Sequence, residues 1–134
     1  MGKSKRPRKS SWNSVHGGVE INYDDVHIVV SPLPTREAKL DEILQIEDSG
    51  SGWRLPTEKE AQVIRRFVRP LNQLMSDNGG APLSSHATIW LHGKYGSRER
   101  LSDVQGRIFS MRFGICCWNW WRIERDFRLV RTVV

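Results

Sequence analysis

The sequence predicts an α+β fold with two helices and a small antiparallel sheet, and three observations lead to that class. Segments in which apolar and polar residues alternate lie toward both ends of the chain, as in half-buried strands. Apolar residues at helical spacing occupy the middle of the chain, between positions 35 and 75. Strands and helices segregated in this way favour α+β over alternating β-α-β units.

The chain has 134 residues, which is the length of one domain. No stretch approaches the ~18 consecutive apolar residues of a membrane span. The basic N-terminus is not followed by the apolar stretch of about 7–15 residues that a secretory signal requires. We therefore expect a protein without a membrane span or a signal peptide, located in the cytoplasm or in a virion.

The positive charge is concentrated at the N-terminus. The formal net charge is +6, and the first ten residues contain five cations and no acid: Lys3, Lys5, Arg6, Arg8 and Lys9. Like charges without apolar residues favour an unstructured arm. We predict a basic flexible tail over 1–17 and a folded domain over 18–134. The tail is either a solvated arm or a contact for nucleic acid or anionic lipid.

The folded part is predicted to begin with two strands and a helix. Alternation over 19–23 and apolar residues over 26–30 predict strands joined by a turn at Asp24 and Asp25. Pro32 ends the second strand. Thr35 has the character of a helix N-cap, and apolar spacing from Leu40 onward predicts a helix over 35–47.

A second helix is predicted from a capping box. Thr57 is followed three residues later by Glu60, and apolar residues continue at helical spacing through Phe67. Pro70 disfavours helical geometry at Arg69, so the helix is predicted to kink or end there. The later part of the chain predicts strands at 87–91, 107–113, 115–123 and 127–133, with a polar connection over 93–106.

Residues 52–60 (GWRLPTEKE) resemble the G-[WFY]-R-L-P-T-x-x-E motif of bacterial C-type-lectin-like domains. These include the DUF1566-type modules and the formylglycine-generating-enzyme-like family. Residues 127–131 (FRLVR) resemble the strand that closes such domains, and residues 89–92 lie where they carry an aromatic strand. The order and spacing agree over roughly 19–133. The resemblance implies a non-catalytic domain of C-type-lectin-like fold over 18–134.

The motif at 52–60 also has a physical interpretation of its own. Trp53 and Leu55 are predicted to be core residues, and Pro56 sets the backbone for the turn into the helix. Arg54 is expected to bind carbonyls or a carboxylate near the chain ends. The motif therefore predicts a fold and does not identify a ligand.

The metal site and reactive cysteines that the resemblance would bring are missing from the sequence. A lectin-type calcium site needs an E-P-N or Q-P-D triplet together with W-N-D, and here Trp120 follows Trp118-Asn119. Calcium requires about 6–8 oxygen ligands, for which no acidic cluster is present. Cys116 and Cys117 are adjacent, so they are predicted to be reduced thiols. We expect no metal and no cofactor.

The candidate contact surface is the aromatic segment 116–122 (CCWNWWR). In a strand, Trp118 and Trp120 share one face, which we assign to the core, and Trp121 lies on the other face with Asn119. Tryptophan beside arginine is typical of binding hot spots. The candidate ligand-binding residues are Trp121, Arg122, Asn119 and Arg112. The alternative is that both faces are buried under the connection at 93–106.

The sequence contains only weak candidates for a catalytic site. Ser84-Ser85-His86 and Asp24-Asp25 occur without a nucleophile elbow or a glycine-rich phosphate loop. His86 and His92 share a strand face by parity, but no third metal ligand accompanies them. The late arginines, Arg128 among them, are expected on a solvated face. We predict that the protein is not an enzyme.

The function predicted from the sequence is a binding module that recognises a protein or another macromolecular surface. It would act within a larger assembly such as a phage particle, or as an oligomer. The alternative is a nucleic-acid-associated protein that uses residues 3–9 and the arginine-rich face.

Overall fold

The computed structural model describes residues 10–33, 36–95, 105–120 and 124–133. These residues form three helices, α1 (Leu40–Asp48), α2 (Glu58–Arg66) and α3 (Val68–Asp77). They also form nine strands: β1 (Ser10–Asn13), β2 (Gly18–Tyr23), β3 (Val26–Val30), β4 (Arg36–Ala38), β5 (Thr88–Tyr95), β6 (Gln105–Ser110), β7 (Cys116–Trp120), β8 (Arg125–Phe127) and β9 (Val130–Thr132). This composition confirms the predicted α+β class, with three helices in place of two. No helix in the described part of the chain is long and apolar enough to cross a membrane.

The strands form two sheets. The first has the order β1-β2-β3-β9 and is antiparallel throughout. The second has the order β4-β8-β5-β6-β7, with one parallel pairing between β5 and β8. Because β8 and β9 lie in different sheets, the C-terminal segment joins the two, and the single strand predicted over 127–133 is two short strands.

The core lies on both faces of the five-stranded sheet. Ile89 and Phe109 pack with α2, α3 and the four-stranded sheet, whereas their neighbours Trp90 and Ile108 pack with α1. Neighbouring residues of a strand point to opposite faces, so this sheet separates two apolar clusters. The central strands β5 and β6 are therefore buried on both sides, and β7 is at one edge.

The N-terminal boundary differs from the prediction of a tail over 1–17. Ser10–Asn13 pairs with β2, and Trp12 lies opposite Val19. The Asn13 amide donates to Glu20 at 2.8 Å, and Glu20 also contacts His27 at 2.5 Å. The half-buried Trp12 gives this short strand an apolar anchor on the core. The basic residues 3–9 lie outside the described residues.

The first helix starts later than predicted. The prediction placed it over 35–47, but Arg36–Ala38 pairs with β8 and the helix begins at Leu40. Two contacts favour this arrangement. The buried Trp90 indole donates to the carbonyl of Ala38 at 2.9 Å, and the Glu42 carboxylate accepts from the Lys39 amide at 2.8 Å.

The capping box of α2 is confirmed and is part of a larger network. The Thr57 hydroxyl accepts from the Glu60 amide at 3.2 Å, and the Glu60 carboxylate accepts from the Thr57 amide at 2.9 Å. Arg54 donates to both oxygens of that carboxylate, at 2.7 and 2.8 Å, and to the Thr132 hydroxyl at 2.8 Å. Arg54 thus ties the start of α2 to the C-terminal strand, as expected for a cation near the chain ends.

The helix break near Pro70 is displaced from its predicted position. Helix α2 ends at Arg66, and α3 begins at Val68, so Pro70 lies in the first turn of α3. Proline is tolerated there because the first amides of a helix have no intrahelical acceptor.

Of the two residues predicted to be core, Leu55 is confirmed and Trp53 is not. Leu55 is fully buried, as predicted. Trp53 is only half-buried against the α1-side cluster, and the Arg131 guanidinium stacks 5.2 Å from its ring centroid. Trp53 therefore covers the core from outside and is shielded by a cation.

Arg128 was predicted on a solvated face and is instead buried, with 2% of its surface exposed. Its guanidinium donates to the carbonyls of Ser31 at 3.0 Å, Ala81 at 2.8 Å and Pro82 at 3.2 Å. Burial lowers its pKa to about 10. The loops at 31 and 81–82 supply acceptors that no alternation pattern reveals, which is why the prediction was wrong.

Candidate functional site

The candidate site is the hairpin that joins β6 to β7. The strand predicted over 107–113 ends at Ser110, and Arg112 and Phe113 lie in the turn. Gly114 has a φ of 71°, a left-handed conformation that favours glycine. Its amide donates to the Ser110 carbonyl at 2.7 Å, and the Ser110 amide donates to the Ile115 carbonyl at 2.9 Å. The turn is thus closed by its own backbone.

Helix α2 holds the hairpin from one side. The Arg65 side chain donates through Nε to the Met111 carbonyl at 2.8 Å and through Nη2 to the Arg112 carbonyl at 3.1 Å. The Gln62 amide donates to the Gly114 carbonyl at 2.9 Å. These contacts satisfy three turn carbonyls and fix the position of the hairpin on the domain.

Large apolar side chains are exposed along this fixed hairpin. Phe113 is 63% exposed, Ile115 62% and Trp118 43%. Arg112 is also exposed, and its guanidinium lies 5.1 Å from the Phe113 ring centroid. We call Arg112, Phe113, Ile115 and Trp118 the hairpin surface. Three exposed large apolar side chains on one hairpin make it a candidate interaction site.

The assignment of Trp118 to the core is wrong. Trp118 pairs with Arg107 across β6 and β7, and the Arg107 guanidinium lies 5.6 Å from its ring centroid. Arg107 also forms an ion pair with Glu58 at the start of α2. Strand β7 is an edge strand, and the Trp118 ring beside the Arg107 guanidinium is still 43% exposed. Strand alternation predicts which residues share a face, but it does not predict whether that face is covered by the core.

The two cysteines are free thiols on β7. Cys117 is exposed, and Cys116 is partly buried against the core cluster. Burial raises the pKa of the Cys116 thiol, and its contact with Glu58 acts in the same direction. The hydrogen bond from Arg107 lowers the pKa of the Glu58 carboxyl. The Glu58 carboxylate is therefore paired with the Arg107 guanidinium, beside the protonated thiol of Cys116.

The sequence-predicted site residues are only partly described. Arg112 belongs to the hairpin surface. The backbone of Asn119 lies in β7 opposite Gly106. Trp121 and Arg122 lie outside the described residues, as does the basic tail set Lys3, Lys5, Arg6, Arg8 and Lys9. Phe113 and Ile115 were missed, although the isolated Gly114 between them is a detectable sign of a break in the strand pattern.

No family model matches this chain, and no curated protein matches it. Among solved structures, the chain is similar to EMS16, an antagonist of the collagen receptor integrin alpha2beta1 (GPIa/IIa). The TM-score is 0.46 at 12% sequence identity, and the alignment covers 95% of this chain and 99% of that chain. The resemblance to bacterial C-type-lectin-like domains therefore rests on the motifs at 52–60 and 127–131.

The histidines of the described chain pair with carboxylates or lie in turns. His27 contacts Glu20 at 2.5 Å, and His92 contacts Glu47 at 3.2 Å. The exposed His86 ring is 3.5 Å from the Ser85 hydroxyl, its neighbour in sequence. Within the described ranges, no group of three or more His, Cys, Asp or Glu side chains is arranged to hold a metal ion.

Proposed function

We propose that this protein is a non-enzymatic binding module of C-type-lectin-like fold that recognises a protein surface through the hairpin surface. The observation that carries the proposal is the exposure of Phe113, Ile115 and Trp118 on a hairpin that α2 holds in place. A hairpin whose backbone is already held in place loses less conformational entropy on binding than a free loop would. Arginine stacked on an aromatic ring adds the residue types that dominate binding hot spots.

The biological setting that we propose is a larger assembly, such as a phage particle, in the cytoplasm or in a virion. In that setting the basic residues 3–9 would act as an anchor, and the hairpin surface would make the specific contact. The charge of the tail and the apolar character of the hairpin support this division of roles.

The experiment that tests the proposal is affinity capture from native lysate with three matched proteins. We expect wild type and Val15→Ala to retain the same partner and Trp118→Ala to lose it. Val15 is 85% exposed and lies outside the hairpin, so this control removes an exposed apolar group elsewhere. Equal capture by all three proteins would show that the hairpin is not the contact surface.

The alternative is a nucleic-acid-associated protein, and the arginine–aromatic stacks of the hairpin give it some support. The Arg107–Trp118 and Arg112–Phe113 pairs are arranged as in surfaces that stack single-stranded bases. This alternative predicts a steep salt dependence, with a slope of about −0.7 log units per phosphate contact on single strands. It also predicts that deletion of residues 1–10 weakens capture, whereas the protein-binding proposal predicts a shallow salt dependence.

A further inference from the structure

A recess lies along α2 beside the hairpin. It has a volume of about 420 Å³ and is lined by Tyr23, Lys59, Gln62, Val63, Arg65 and Arg66. We call it the α2 cleft. Three of its lining residues are cations, and Tyr23 supplies an aromatic wall.

Arg66 is the cation in this cleft that is both oriented and available. Its guanidinium lies 5.0 Å from the Tyr23 ring centroid and 6.0 Å from that of Phe67. The two rings contact each other edge to face at 5.0 Å, so they form one aromatic support. Among the described residues, Arg66 forms no ion pair. Stacking on a ring restricts the guanidinium while leaving its N–H groups free to donate.

The other two cations of the cleft are already engaged. Lys59 pairs with Asp25 at 2.5 Å, and Asp24 is close enough to act on it electrostatically. Arg65 donates to the hairpin carbonyls through two of its nitrogens. The cleft therefore offers one free, planar guanidinium with carboxylates at its border.

We propose that Arg66 binds a carboxylate side chain of an acidic segment in the protein partner. A planar guanidinium matches a carboxylate in bidentate geometry. A nucleic-acid backbone fits less well, because its successive phosphates would need several available cations, whereas Lys59 and Arg65 are already engaged. The inference rests on the proposed function, since the segment would cross α2 from the hairpin surface. Arg65 and Gln62 contact the hairpin and also line the cleft, so the two sites are continuous.

The experiment is selection of a displayed random 12-residue peptide library on four immobilised proteins, followed by sequencing. The proteins are wild type, Arg66→Gln, Trp118→Ala and Arg69→Gln. Arg69→Gln is the control. Arg69 is an exposed arginine on the next helix that does not line the cleft, and its substitution by glutamine removes the same charge as Arg66→Gln. Thermal melts of all four proteins verify that they are folded.

We expect peptides selected on wild type and on Arg69→Gln to combine an aromatic residue with Asp or Glu at a fixed spacing. Peptides selected on Arg66→Gln are expected to retain the aromatic residue but to show no preference for Asp or Glu. For one selected peptide, Arg66→Gln or a Glu→Gln change in the peptide should each weaken binding about tenfold. The two changes together should have no larger effect than either one, because they remove the same contact.

Three results would overturn the inference. Acidic residues that persist on Arg66→Gln would place the carboxylate contact elsewhere and leave the proposed function standing. If no peptide is selected and a fluorescent (dT)12 oligonucleotide binds wild type but not Arg66→Gln, the cleft binds nucleic acid. Selection that is unaffected by Trp118→Ala would refute the proposed function and, with it, this inference.

Discussion

Arg128 is a buried cation held by backbone carbonyls from two separate loops, and its geometry leads to the first prediction. Arg128→Ala should lower the free energy of unfolding by about 3 kcal/mol or more, because it leaves buried carbonyls without a donor. Urea unfolding measures this loss. The exposed Arg112→Ala, as the control, should change stability by no more than about 0.5 kcal/mol. Equal effects of the two substitutions would contradict the buried role of Arg128.

Leu55 and Trp53 lie two positions apart and differ in burial, which gives the second prediction. Leu55→Ala should cost about 2–5 kcal/mol because it opens a cavity under a fully buried side chain. Trp53→Ala should cost less, since the ring is only half-buried and Arg131 covers it. Thermal melts of both variants provide the comparison. A larger loss for Trp53→Ala would mean that the ring supports the core more than its exposure indicates.

At the scale of elements, the start of α2 depends on an ionised Glu60. Burial acts to raise the pKa of this carboxyl, but hydrogen bonds from Arg54 and Thr57 outweigh it and hold the pKa below its usual value. A carboxyl whose pKa is lower in the folded state stabilises the fold above its unfolded pKa, and the contribution is lost as pH falls through the folded pKa.

The third prediction follows from that sign. Between pH 6 and pH 3, wild type should lose more stability than Glu60→Gln, so the two curves of unfolding free energy should converge toward low pH. Urea midpoints across this range provide the measurement. The exposed Glu124→Gln makes the same change in charge away from the Arg54–Glu60 contact and serves as the control. Parallel curves for Glu60→Gln would exclude the network as a source of acid sensitivity.

The attachment of the hairpin to α2 gives the fourth prediction. A Cβ at Gly114 would lie 3.0 Å from the Arg65 guanidinium, whereas a Cβ at Gly79 would have no neighbour within 4 Å. Both glycines have positive φ, so alanine strains the backbone at either position by about 1 kcal/mol. Only Gly114→Ala should also displace Arg65 and speed amide exchange over 110–115. Equal exchange in the two variants would show that Arg65 does not hold the hairpin.

At the scale of the whole molecule, local patterns predicted much of the fold. The strands at 19–30, the capping box at Thr57 and the burial of Leu55 follow from alternation, helix-cap chemistry and hydrophobicity, and all are confirmed. Arg36–Ala38 was placed in a helix because its pairing with β8 spans about ninety positions of sequence. Such long-range contacts override local propensity.

The hairpin surface shares Arg112 with the contact residues predicted from the sequence, whereas Phe113 and Ile115 were not among them. The aromatic and arginine character of 112–122 indicated a surface near the C-terminus. Strand alternation then assigned Trp118 to the core, although its strand lies at the edge of the sheet and leaves the ring 43% exposed. The α2 cleft was not predicted, since it depends on Tyr23 and Arg66 meeting across two elements far apart in sequence.

The central claim, that the hairpin surface contacts the partner, is tested most directly by site-specific photo-crosslinking. A benzoylphenylalanine replaces Phe113 in one protein and, as the control, Leu33 in another, since Leu33 is equally exposed at 65% but lies outside the hairpin. We expect a crosslinked partner from position 113, none from position 33, and loss of the product when Trp118→Ala is added. Crosslinks of equal yield from both positions, or a product from position 113 that persists with Trp118→Ala, would contradict the central claim.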